Sequence, residues 1–190
     1  MRTIFAFDTA TSIATCSLVC DDEAVDEVRT QARLVLVAAD ELLRSAGLDP
    51  RELDAIVVGT GPGSFTGIRI GLATARGLAL GLGLPVAGVS TLHAFAGGRP
   101  VIDARRGEVF TDGPVVARPE DLDVAGSRLI GDGALRYREV FEAHGADVPP
   151  GSDPAHLPAA HLLVGFADDY GPAQAVEPVY VREPDAQAAR

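Results

Sequence analysis

Apolar residues fill positions 4–7 without a break up to Asp8, and residues 14–20 alternate small or apolar side chains with hydroxyls before the acidic pair Asp21 and Asp22. Two short runs of this kind predict antiparallel strands. Residues 24–29 offer a third, shorter one. Leu34, Val37, Ala38, Glu41, Leu42 and Ser45 then recur at helical spacing as far as Gly47, which suits a C-terminal cap. Asp49-Pro50-Arg51-Glu52 combines a capping Asp, a first-turn Pro and a Glu at the third helical position, so it starts a brief helical turn. A buried strand over 55–58 follows. The glycine-rich stretch VGTGPGSFTGIRIG over 58–71 leads into a helix predicted over 65–82, a strand over 85–89 and a short helix from Ser90 and Thr91. Strand, crossover helix and strand imply parallel pairing. Beyond Gly97-Gly98-Arg99-Pro100, read as a hinge, strands are expected near 101–102, 107–111 and 128–130. A helix over 135–143, a proline-rich loop over 147–158, a last helix over 161–170, a final strand over 176–181 and a polar tail complete the pattern.

A chain of 190 residues can bury one good core, or two small lobes sharing one. The formal charge of −11 argues against direct binding to a nucleic-acid backbone, which needs a basic surface. Cys16 and Cys20 make neither a disulfide framework nor a zinc ligand set, and their even spacing in a strand puts both thiols on one face as core residues. The opening residues carry no apolar run of secretory length, and the longest apolar tract, 77–92, is broken by Pro85 and by glycines and is shorter than the ~20 residues that span a bilayer. A cytoplasmic protein without a membrane span is expected.

The loop Gly61, Pro62, Gly63, Ser64, Phe65, Thr66, Gly67 looks built for close backbone approach, yet Gly67 is followed by Ile68 and Arg69 where a phosphate loop places Lys and Ser or Thr. A dinucleotide fingerprint fails too. It needs a third Gly where Ser64 stands and an acidic residue about twenty positions on, and no Asp or Glu occurs from Ala55 to Ile102. Ser64 is expected to cap the following helix and Phe65 to pack into the first-lobe core. Along that helix Gly67, Gly71, Ala75, Ala79 and Gly83 recur every four residues, flanked by Arg69 and Arg76. Such a smooth stripe lets another backbone come close. Two readings stand: the helix is sandwiched inside its own chain, or the stripe is a subunit interface, since interface cores are depleted of carboxylates and retain Arg.

GPGSFTGIRIG followed by GLALGLGLPVAGVSTL, with AFDTATS near the start, VIDARRGEVF in the middle and EPVYVR near the end, closely resembles the TsaB (YeaZ) family. The resemblance implies a subunit of the bacterial machinery that forms N6-threonylcarbamoyladenosine on adenosine 37 of tRNAs reading codons that begin with A. It implies an α/β, two-lobed fold similar to the actin, Hsp70 and sugar-kinase superfamily with mixed central sheets. The lobes would be 1–98 and a reduced, trimmed 99–181, with 182–190 as tail. In that superfamily Asp8, Thr9 and Thr11 would sit at one phosphate-handling turn, Asp103 at a second, and Gly131 and Gly133 at an adenosine turn. Ala10, Arg105 and Arg106 depart from the active pattern, so this nucleotide site is expected to be vestigial.

His93, His144, His156 and His161 include no pair at the spacing of a helical metal site. The resemblance places metal and Mg-ATP on partner subunits and none on this chain alone. It implies docking to the catalytic subunit TsaD through Leu34, Val37, Ala38, Glu41, Gly67, Arg69, Gly71, Ala75, Arg76 and Ala79. It also implies an ATPase, TsaE, in the ternary complex, a homodimer when TsaD is absent, and tRNA met only through the complex. The chain itself is then expected to be non-catalytic. The alternative is an ATPase or phosphotransferase using Asp8 and Asp103. A peptidase finds neither a His-Glu-x-x-His set nor a Gly-x-Ser-x-Gly elbow.

Overall fold

Strand β1 (Thr3–Asp8) is buried along its whole length, so both of its faces must be covered. The computed structural model, which describes residues 2–182, has β1 at the centre of a five-stranded sheet. Its antiparallel neighbours are β2 (Ala14–Cys20) and then β3 (Glu23–Thr30), and its parallel ones are β4 (Ala55–Gly59) and then β5 (Val86–Val89). Because side chains alternate along a strand, Phe5, Phe7, Ile56 and Val58 point to one side. There they meet helices α1 (Val35–Ala46) and α2 (Phe65–Leu82). Ile4, Ala6, Ala55 and Val57 point to the other side, toward a second sheet.

That second sheet has the order β8-β7-β6-β9, from β6 (Arg99–Arg105), β7 (Glu108–Thr111), β8 (Val115–Ala117) and β9 (Leu129–Ile130). Ile102, Ala104 and Phe110 share a core with the first sheet and with Leu163 of α5 (His161–Val164). Val101 and Val109 turn the opposite way and pack with Phe141 beneath α3 (Asp132–Arg136) and α4 (Arg138–Ala143). The two sheets therefore share a common apolar layer. Burial pushes the Cys16 thiol up to about 12, so it packs as a small apolar residue. Cys20 is half-buried with its sulfur 3.8 Å from the Thr3 hydroxyl. Among the described residues no helix is long and apolar enough to cross a membrane.

Several expectations change. The helix expected over 135–143 is two short ones meeting at Tyr137 (φ −110°, ψ 26°), whose backbone leaves the helical region. The helix expected over 161–170 stops at Val164, ahead of Gly165. No strand forms over 176–181, where Pro178 removes a donor from the middle of the run. Strand β8 escaped the pattern because it is a three-residue edge. Of the tail expected over 182–190, Arg182 alone lies within the described residues.

The decisive local contact is between the turn after β1 and the start of α2. A Cβ on Gly67 would lie 2.1 Å from the Thr9 carbonyl oxygen, one on Gly63 2.3 Å from the Ala10 carbonyl oxygen, and one on Gly71 2.4 Å from Thr9 Oγ1. Gly77, on the opposite side of α2, meets nothing. Gly67→Ala should therefore destabilise the chain by about 1–3 kcal/mol through overpacking against backbone, whereas Gly77→Ala should stabilise it by about 0.5–1 kcal/mol through helix propensity. Urea unfolding of both variants checks the opposite signs.

Candidate functional site

The GPGSFTG loop is wired on three sides. Ser64 N–H donates to the Ala10 carbonyl at 2.6 Å, and Thr9 Oγ1 donates to the Gly67 carbonyl at 2.7 Å. Gly61 N–H donates to Thr91 Oγ1 at 3.0 Å, while Thr91 N–H returns to the Gly61 carbonyl at 2.8 Å. Val179 N–H donates to the Thr60 carbonyl at 2.8 Å. The Gly61–Pro62 peptide is cis. Ser64 Oγ accepts from Gly67 N–H at 3.3 Å, a helix cap as the sequence predicts. Phe65 does not enter the core. It is half-buried outside the core, its ring 5.0 Å from that of Tyr180 with the Arg69 guanidinium 3.9 Å above it.

Between the sheets lies a cleft of about 440 Å³, lined by Thr11, Ser12, Ser64 and Phe65 on one side and by Asp103 and Arg105 on the other. Asp8 is not exposed to it. The Asp8 carboxylate is fully buried, its Oδ2 accepting from Thr91 Oγ1 at 2.6 Å and its Oδ1 from Ala10 N–H at 2.8 Å. A Cβ on Gly59 would fall 1.6 Å from Asp8 Oδ2, so the glycine makes room for this carboxylate. Thr11 lines the cleft but spends its hydroxyl on the Ile13 carbonyl at 2.7 Å.

Asp103 is 6% exposed at its side chain and held by two guanidiniums, Arg105 and Arg136, each at 3.3 Å. Asp132 accepts from Asp103 N–H at 3.0 Å and from Ser12 Oγ at 3.2 Å, the latter a bond across the cleft. Gly131 and Gly133 serve packing: a Cβ there would strike the Val101 carbonyl at 2.4 Å and the Ile102 carbonyl carbon at 2.8 Å. A magnesium nucleotide needs carboxylate oxygens free to face it. Asp8 and Asp103 offer none, so these residues do not fit that group. Among the described residues no cluster of three or more His, Cys, Asp or Glu could hold a metal ion.

The other candidate is the outside of the two helices. Gly67, Gly71, Ala75 and Ala79 are buried against this chain's own sheet, and so is Ala38 of α1. This corrects the expectation that the small-residue stripe is an open docking side: Thr9, Ala10 and Val58 already cover it. The open side of α2 is the opposite one, where Ala73, Gly77 and Leu80 follow at helical spacing and Leu80 is 83% exposed. On α1 Leu36 and Val37 are 55% and 52% exposed, beside exposed Leu34 and Glu41. Arg69 and Arg76 are exposed, yet both bind the chain's own residues over 173–180.

Residues 28–132 match the family model described as "TsaD: tRNA N6-adenosine threonylcarbamoyltransferase". The uncharacterized protein Rv3421c of Mycobacterium tuberculosis is 35% identical over 98% of this chain and 95% of its own length. The tRNA threonylcarbamoyladenosine biosynthesis protein TsaB of Escherichia coli is 40% identical over 56% of this chain and 52% of its own. The structure of YeaZ from Pseudomonas aeruginosa superposes with a TM-score of 0.79 at 29% identity, covering 95% of this chain and all of that one. The chain belongs to the TsaB (YeaZ) family.

Two features of this TsaB-family chain leave little trace in its sequence. Thr91, 83 residues from Asp8, completes the buried carboxylate site. His156 is buried, its Nδ1 accepting from Gly131 N–H at 3.1 Å and its Nε2 facing the Pro149 carbonyl at 3.0 Å, which fixes the proton on Nε2. Burial raises the Asp8 carboxyl above its usual range, outweighing the lowering by Thr91 and by the Ala10 and Thr11 backbones. The folded chain thus holds a proton that the unfolded chain has lost, and stability from this site falls as pH rises from 3.8 through the raised value. In urea unfolding across that window, the native chain should lose stability relative to Asp8→Asn as pH rises, then hold a constant difference. Parallel pH profiles would contradict the assignment.

Proposed function

We propose that this chain is the non-catalytic scaffold subunit of the complex that forms N6-threonylcarbamoyladenosine at position 37 of tRNAs reading codons that begin with A, and that it docks to a TsaD-type catalytic subunit. The observation that carries the reading is the open side of α2, apolar and free of carboxylates, with Leu80 83% exposed. A large apolar side chain standing in water beside Ala73 and Gly77, on the same side of the helix, costs nothing once a neighbour covers it. Leu36 and Val37 are likewise exposed on α1, the other helix packed on this face of the first sheet.

The choice of occupant rests on kinship. The model matching residues 28–132 is that of TsaD, and the tRNA N6-adenosine threonylcarbamoyltransferase of Nitratidesulfovibrio vulgaris is 48% identical over 66 residues, 35% of this chain and 18% of its own length. A partner carrying the same helices can present a matching pair, so that the two surfaces meet about a near two-fold axis. The two-sheet layout is then the actin, Hsp70 and sugar-kinase plan with its nucleotide chemistry left to the partners. Mg-ATP and metal belong to TsaD and to the ATPase TsaE, and tRNA meets the assembled complex, in keeping with a chain of charge −11.

Co-elution with the TsaD-type subunit of the same cell on size-exclusion chromatography tests the docking. Leu80→Asp should weaken the complex at least tenfold while leaving the melting temperature unchanged, because the side chain touches solvent in the free chain. Failure of the native pair to co-elute under any nucleotide condition contradicts the reading. Depletion of the chain in cells should lower modified adenosine in tRNA, measured by mass spectrometry of nucleosides.

A further inference from the structure

Residues 171–182 leave the edge of the first sheet and run back across the GPGSFTG loop to the second sheet without joining either as a strand. Gly171 exchanges two backbone hydrogen bonds with Val86, at 2.9 and 3.1 Å. Past that point, among the described residues, a single main-chain bond ties the segment to the rest of the chain, from Val179 N–H to the Thr60 carbonyl. Pro172 and Pro178 deny it the donors of a regular ladder. What holds it instead is packing and arginine: Ala173 is buried in the first core with Val176 against it, and Val181 packs on the second. Arg76 reaches the Val176 carbonyl at 2.9 Å and the Ala173 carbonyl at 3.4 Å, and Arg69 reaches the Tyr180 hydroxyl at 3.2 Å. Arg182 binds Glu108 Oε2 at 2.6 Å and the Ala104 carbonyl at 2.9 Å.

We propose that residues 172–182 form a strap, hinged at Gly171 and latched by Arg69, Arg76 and Arg182, that opens and closes the cleft between the two sheets. Val179, Tyr180, Val181 and Arg182 wall the 440 Å³ cleft on one side. A second cavity of about 310 Å³ lies behind the strap and shares Val179 as its partition. Lifting the strap joins the two spaces and uncovers Phe65 at the start of α2. Each latch is a side chain reaching a single carbonyl, hydroxyl or carboxylate, exposed at Tyr180 and Val176 and part-buried at Ala173, Ala104 and Glu108, which opens at less cost than a buried sheet ladder. Arg69 and Arg76 also border the open side of α2, so the latch lies where a covering partner ends. The proposal stands on the strap's own contacts and does not need the docking reading.

Hydrogen exchange followed by mass spectrometry on the full chain tests it. In the native protein, peptides covering 173–181 should exchange faster than those from β1 and β4. Arg76→Ala should speed them at least about tenfold more, with β1 and β4 unchanged, which separates release of the strap from loss of the fold. Tyr180→Phe, which removes only the hydroxyl that Arg69 holds, should give a smaller change of the same sign. The proposal is overturned if 173–181 exchanges as slowly as β4 in the native protein, or if either substitution speeds the strap only in step with the sheet.

Discussion

The close approach between the turn after β1 and the first half of α2 fixes how that helix sits on the first sheet. Thr9 and Ala10 press their carbonyls where side chains of Gly63 and Gly67 would stand, and Thr9 Oγ1 takes the space beside Gly71. No other residue type allows backbone to meet backbone at this spacing. Because the helix is seated on its glycine side, its opposite side must point outward. The same contact clamps the GPGSFTG loop and aims Phe65 toward Tyr180 at the mouth of the cleft.

The two carboxylates that a nucleotide-handling fold would turn toward a ligand are engaged within the chain here, Asp8 fully buried and Asp103 in the wall of the cleft. Asp8 is spent on Thr91 and Ala10, and Asp103 on Arg105 and Arg136. A buried carboxylate with both oxygens engaged stabilises a corner of the fold and can do little chemistry. Leu36, Val37 and Leu80 stand exposed on the outer faces of the two helices that pack on one side of the first sheet.

Much of the first lobe was legible because its signals are local. Ser64 as cap and the limits 65–82 follow from helix-end chemistry. The four-residue glycine and alanine stripe was also legible as a place of close approach. Which body approaches was not, since period alone gives the same pattern whether the neighbour is this chain's Thr9 or another protein. The outward face is marked by Gly77 and Leu80, two residues whose types say little until the buried side is known. In the second lobe short elements fell below the length at which periodicity speaks: β8 has three residues and α5 four. The strap was misread as a strand because Val176, Val179 and Val181 carry strand propensity, while Pro178 and the arginines on α2 decide the outcome through distant contacts.

The most direct test of the central claim, that α2 is seated on its glycine side so that its far side can be covered by a partner, is a footprint of the complex. Hydroxyl-radical labelling should show Leu36, Val37 and Leu80 losing reactivity when the TsaD-type subunit is added, with Phe166 on the other side of the molecule unchanged. If Leu80 stays as reactive in the complex as in the free chain while residues elsewhere become protected, the open side of α2 is not the docking surface and the account fails.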